Sequence, residues 1–154
     1  IHSRGGSSAT VGIALALLFA GGALGKATCG WLGDHLGIVR SVVATETATS
    51  LLIIAKLFTP LSGTLVLLPL LGIVLNGTSS VLYGTVPELA PGGDTGRAFA
   101  VFYTGVIGAG GLAPIAYGIL ADHVGRTTGQ LATAATALLI IPMVHQLGSS
   151  MKAA

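Results

Sequence analysis

Five long apolar runs separated by short polar breaks constrain this chain more than any other feature of its sequence. They extend from about Ala9 to Leu32, Ser41 to Phe58, Leu61 to Val86, Ala98 to Leu120 and Thr128 to Val144. A helix needs roughly 20 mostly apolar residues to cross a bilayer, with about 17 as the lower limit, and each run reaches it. Strands of a membrane barrel would show segments of about 10 residues alternating apolar and polar, whereas these runs are apolar on all sides. The pattern predicts an all-α integral membrane protein, a single transmembrane unit of five spans.

Charge supports that reading. Only 8% of the residues are Asp, Glu, Lys or Arg, against roughly 25% in soluble domains, too few to build a surface facing water. The lipid bilayer is therefore the expected surrounding, and the 24 glycines suit helices packed closely within it. Seven Lys and Arg and five acids are scattered singly, so no basic face for nucleic acid forms. A lone Cys29 offers neither a disulfide nor a thiolate metal site and reads as a small buried filler. No cofactor is implied.

The breaks are Gly33 to Gly37, Thr59-Pro60, Pro87 to Arg97 and Asp122 to Arg126. Loops this short predict antiparallel neighbours. If the first break is cytoplasmic, Lys26, Arg40, Arg97 and Lys152 fall on or near that side and Arg4, Lys56 and Arg126 on the other, which orients the chain only weakly. The start at Ile1, with no initiator methionine, reads as a fragment.

One segment recurs. Gly30-Trp31-Leu32-Gly33-Asp34-His35-Leu36-Gly37 returns as Gly118-Ile119-Leu120-Ala121-Asp122-His123-Val124-Gly125, each copy closing an apolar span. Small residues let a helix end approach a neighbour, Gly37 and Gly125 suit helix termination, and a carboxylate can bind a neighbouring helix N-terminus. A purely structural cap reads similarly.

The string GWLGDHLGIVR resembles the loop signature of the major facilitator superfamily, G-x-L-x-D-R-x-G-R-R in its strongest form. Gly30, Gly33, Asp34, Gly37 and Arg40 fall in this segment, and His35 stands where the family prefers Arg or Lys. The stretch from Pro87-Glu88 to Gly125 is similar to the tenth-to-eleventh loop and eleventh helix of bacterial drug-efflux and solute transporters of that family. The resemblance implies helices eight to twelve of a twelve-helix bundle in the plasma membrane (the bacterial inner membrane), with an N-terminal half as partner. Two halves would rock about a central site for a small-molecule substrate. It also implies that Asp34 gates the cytoplasmic side by contacting the opposite half.

Ionisable groups at bilayer depth are costly and usually face a cavity or partner. Glu46 is the candidate for proton coupling or for binding a cationic group, with a salt bridge to Arg40 or Lys26 as the alternative. Lys26 and Lys56 lie close enough to span ends to snorkel, and His145 marks an interface. Asn76, Tyr83 and Tyr103 are candidates to line a substrate pathway, or else to bond helix to helix.

Gly21, Gly25, Cys29 and Gly33 fall every fourth residue on the first span, as do Gly110, Pro114 and Gly118 on the fourth. Such smooth faces permit close contact, either static or, as the resemblance implies for the eighth and eleventh helices, sliding between halves, with Pro114 as a kink. Gly21 to Lys26 imitates a phosphate loop but lies within a lipid-buried helix. Asn76-Gly77-Thr78 is a glycosylation triplet at membrane depth. The two Asp-His pairs fall at opposite faces, too far apart to share a metal.

The expected function is secondary active transport of a small organic molecule by alternating access: proton-coupled efflux (an antiporter) first, uptake of an organic solute second. A non-transporting interaction subunit is the competing class. Enzyme activity is not expected, since no catalytic constellation lies within the spans.

Overall fold

The structure, a computed structural model, describes Ile1 and residues 4–153, with the side chains of Pro91, Leu147 and residues 149–153 left outside that description. The side chain of Lys152, one of the cations that bear on orientation, is thus outside the described residues. Five helices follow one another: α1 (Ser8–Leu36), α2 (Ile38–Phe58), α3 (Leu61–Thr85), α4 (Thr95–Val124) and α5 (Arg126–Ala153). All five are long and apolar enough to cross a membrane.

The helix ends differ from the sequence reading. Gly33 to Leu36 and Asp122 to Val124 are the last turns of α1 and α4, because polar residues at a helix end can stay helical where water begins. Each break contracts to one residue, Gly37 or Gly125. Between α3 and α4 the chain needs more length, and a short 3-10 turn at Pro91–Gly93 is followed by Asp94, whose carboxylate accepts from the Arg97 N–H at 3.0 Å and caps α4. Ser7 caps α1 in the same way, accepting from Thr10 N–H at 3.3 Å.

Packing follows small residues. α1 and α3 run parallel, and a β-carbon added at Gly21 would strike the Pro69 carbonyl, one at Gly25 the Ile73 carbonyl and one at Gly77 the Cys29 sulfur. Gly33 meets Val81 next along the same line. The four-residue rhythm on α1 is matched by the same rhythm on α3, so the two backbones lie against each other over about three turns.

α2 runs antiparallel to α3, Thr45 meeting Thr78 and Ile53 packing with Leu71. α5 covers another side of α2: Ala134 joins the Ile53 cluster, Val144 joins Val42, and Gly148 lies against Val39. α4 leans chiefly on α5, and no residue of α4 is buried. Its helix continues unbroken through Pro114.

Burial is inverted relative to a soluble bundle. Ser41, Thr45, Glu46, Thr49 and Ser50 are inside, while Phe19, Trp31, Phe58 and Ile107 point outward. Large exposed apolar side chains across a whole surface require an apolar surrounding, and small and hydroxyl residues at contacts are what helices use in lipid.

Candidate functional site

The two copies of the repeated segment have one geometry. Gly37 has φ 78° and ψ 157°, Gly125 φ 93° and ψ 152°, a region open essentially to glycine alone. Gly37 N–H donates to the Gly33 carbonyl and Gly125 N–H to the Ala121 carbonyl, both at 3.0 Å. His35 donates from Nδ1 to the Trp31 carbonyl and His123 to the Ile119 carbonyl, both at 2.9 Å. Each histidine ring thus folds back one turn onto its own helix and shares a carbonyl of the helical ladder. The antiparallel course of the helices places the two corners at opposite ends of the bundle.

At the first corner Ser41 Oγ donates across to the Leu32 carbonyl at 3.1 Å, drawing the start of α2 against the end of α1. Asp34 and Arg40 are exposed there, and a β-carbon added at Gly30 would meet nothing within 4 Å. They stand at the surface of this end rather than inside the bundle.

Deeper in, α2 presents a line of hydroxyls. Ser41, Thr45 and Thr49 recur every fourth residue, and Glu46 and Ser50 flank them. Thr45 Oγ1 and Thr78 Oγ1 lie 2.8 Å apart, and the Thr78 hydroxyl also hydrogen-bonds Glu46. Glu46 is 8% exposed, about 12 Å along α2 from its first residue at 1.5 Å per residue. Among the described residues no ion pair joins Glu46 to Arg40 or Lys26, both of which are exposed, and the side chain that faces it is the Thr78 hydroxyl of α3. Among the described residues the Thr49 hydroxyl is buried with no partner.

Asn76 donates from Nδ2 to the Gly72 carbonyl at 3.2 Å and leans on Gly22 of α1, which puts it at the α1–α3 contact. Tyr83 and Tyr103 are brought together, ring centroids 5.2 Å apart, with Phe102 5.0 Å from Tyr83 and Phe99 6.3 Å from Tyr103. Phe102 also lines a cavity of about 900 Å³ between α3, α4 and α5, with Leu82, Ile140 and Met143 as apolar walls and Asp94 and Arg97 at one side. This is the size range of a small-molecule pocket. A β-carbon added at Gly110 or Gly118 would meet nothing within 4 Å, and Pro114 is exposed with them; Gly21 and Gly25, in contrast, are consumed by the contact with α3.

Sequence reasoning singles out Glu46 but not the hydroxyls around it, although their four-residue spacing is visible in the chain. It also passes over Arg4. The Arg4 guanidinium donates to the carbonyls of Lys56 and Thr59, both at 2.8 Å, and of Leu57 at 3.2 Å, and to Thr64 Oγ1 at 2.5 Å.

No curated protein and no solved structure matches the chain. Five apolar helices, glycine corners at both ends of the bundle and a carboxylate held among buried hydroxyls make up the described architecture. The family model described as Major Facilitator Superfamily matches residues 1–147, all of these features included, and the chain belongs to that family of membrane transporters.

Proposed function

We propose that the chain is the C-terminal part, helices eight to twelve, of a proton-coupled exporter of a small organic molecule, working by alternating access in a bacterial plasma membrane. The observation that carries the coupling is Glu46. A carboxylate at this depth is expensive to bury and is retained where it serves a path or a partner. Thr78 supplies a hydroxyl to it, and the unpartnered Thr49 hydroxyl lies one turn further along the same helix. Such a line of hydroxyls suits a group that exchanges a proton.

Asp34 and Arg40, exposed at the first corner, are available to a second half of the bundle, in keeping with a gating contact. The cavity beside Phe102, with one acid and one base among apolar walls, suits a substrate of mixed polarity. Asn76, Tyr83 and Tyr103 are assigned to helix contacts that shape this interior.

The test is transport in proteoliposomes of the complete protein encoded by the gene, under an imposed pH gradient. Substrate movement opposite to the proton gradient is expected, and Glu46→Gln should abolish gradient-driven movement while substrate exchange persists. Movement in the same direction as protons would replace efflux by uptake. Gradient-driven transport at full rate in Glu46→Gln would remove Glu46 from coupling. Sequencing the gene upstream of Ile1 is expected to reveal about seven further spans, matching the two-halves plan.

A further inference from the structure

At the end of the bundle opposite Asp34, three cations from three separate segments converge. Arg4 precedes α1, Lys56 lies in the last turn of α2 and Arg126 opens α5; all three line a cavity of about 730 Å³, and no carboxylate is among its lining residues. Arg4 and Lys56 are near enough to repel one another. Arg4 is held by the carbonyls at the end of α2, which leaves Lys56 and Arg126 with no carboxylate opposite them in this cavity.

Two further features lie at the same place. α5 begins immediately after Gly125, which has no side chain to cap it, so the first N–H groups of α5 are open to an anion beside Arg126 and Thr127. Gln130, one turn further, also lines the cavity, and its Oε1 is buried with no partner among the described residues. That oxygen calls for a hydrogen-bond donor, a role that a headgroup hydroxyl can fill. The remaining wall is apolar, with Val11, Leu15 and Leu18 of α1, Leu68 of α3 and Leu131 of α5.

We propose that this cavity binds an anionic phospholipid bearing a hydroxylated headgroup, its phosphate between Lys56 and Arg126, its headgroup hydroxyl on Gln130 and an acyl chain along α1. The division of the cavity into a cationic end and an apolar wall is what an amphiphile requires, and basic pockets between membrane helices hold anionic headgroups elsewhere. A soluble phosphate would use the cations but leave the apolar wall empty.

Native mass spectrometry of the complete protein encoded by the gene, with phosphatidylglycerol, phosphatidylcholine and inorganic phosphate, tests this. Wild type is expected to retain phosphatidylglycerol over phosphatidylcholine, with the preference falling about fivefold for each of Lys56→Gln and Arg126→Gln. Lys56→Arg and Arg126→Lys should keep the preference, and so should Lys26→Gln, whose cation lies outside the cavity. Should Arg126→Gln fail to fold, judged by helical circular dichroism, Lys56→Gln decides alone. Equal retention of the two lipids by wild type, or an undiminished preference in Lys56→Gln, overturns the site. Displacement of phosphatidylglycerol by an equal concentration of inorganic phosphate overturns the lipid and assigns the cations to a soluble anion.

Discussion

Gly25 of α1 lies so close to the Ile73 carbonyl of α3 that a β-carbon there would overlap it. Gly21 stands in the same relation to Pro69, so backbone meets backbone at successive turns and neither partner is a flexible side chain that can yield. Gly25→Ala is expected to destabilise the bundle by about 1–3 kcal/mol, the usual cost of overpacking. Gly12→Ala, where nothing lies within 4 Å, should be neutral. Thermal melting in detergent, read by fluorescence size exclusion, checks the pair; equal melting of the two variants would disprove the close approach.

Gly37 and Gly125 make a second, independent prediction. Their φ and ψ fall outside the left-handed helical region, where Asn is tolerated, and inside one that needs glycine. Gly37→Ala and Gly37→Asn are therefore expected to cost about the same, on the order of 1–3 kcal/mol, and the matching changes at Gly125 likewise. Limited proteolysis at each corner and melting temperatures report the effect. A stable Gly37→Asn beside an unstable Gly37→Ala would show that the corner adopts a left-handed helical turn instead.

What can be read from the sequence divides along physical lines. The five spans are legible because lipid demands length and apolarity along a continuous stretch, a local property. The corners are legible as a repeat but not in extent, since Asp34 and His35 are as polar as loop residues and yet close the last turn of α1. The stripe of Gly21, Gly25, Cys29 and Gly33 announces a close contact without naming its partner, because Pro69, Ile73, Gly77 and Val81 share its spacing only after the chain has crossed the bundle twice. Glu46 stands out by charge alone, while Ser41, Thr45 and Thr49 pass as ordinary helix residues. Which hydroxyls face Glu46 depends on how α2 is rotated against α3, and that rotation is set by packing.

The hydroxyl line separates two threonines. Thr45 Oγ1 is 2.8 Å from Thr78 Oγ1 and 2.9 Å from the Ser41 carbonyl, whereas Thr49 Oγ1 has no partner among the described residues. Removing a made hydrogen bond costs about 0.5–1.5 kcal/mol, while removing an unmet buried hydroxyl relieves a desolvation penalty. Thr45→Val should lower the melting temperature and Thr49→Val should leave it unchanged or raise it. If Thr49→Val is the more damaging of the two, its hydroxyl has a partner in the working protein, and a tightly held water would be the first candidate to seek by hydrogen exchange.

Arg4 binds the end of α2 from outside the helix. Its guanidinium donates to the carbonyls of Lys56, Leu57 and Thr59, the groups a helix leaves unpaired at its C-terminus, and places a positive charge at the negative end of the helix dipole. It bonds Thr64 of α3 as well, so one side chain fastens the stretch before α1 to the α2–α3 turn. Arg4→Gln is expected to cost about 1.5–3 kcal/mol, the worth of hydrogen bonds to a charged group. Arg4→Lys should recover only part, since an ammonium keeps the charge but loses the planar fork that reaches several carbonyls together. Melting temperature and amide hydrogen exchange at residues 61–64 provide the readout: exchange there should quicken in Arg4→Gln, fall between the two in Arg4→Lys, and stay at the wild-type rate if the cap were only a surface contact.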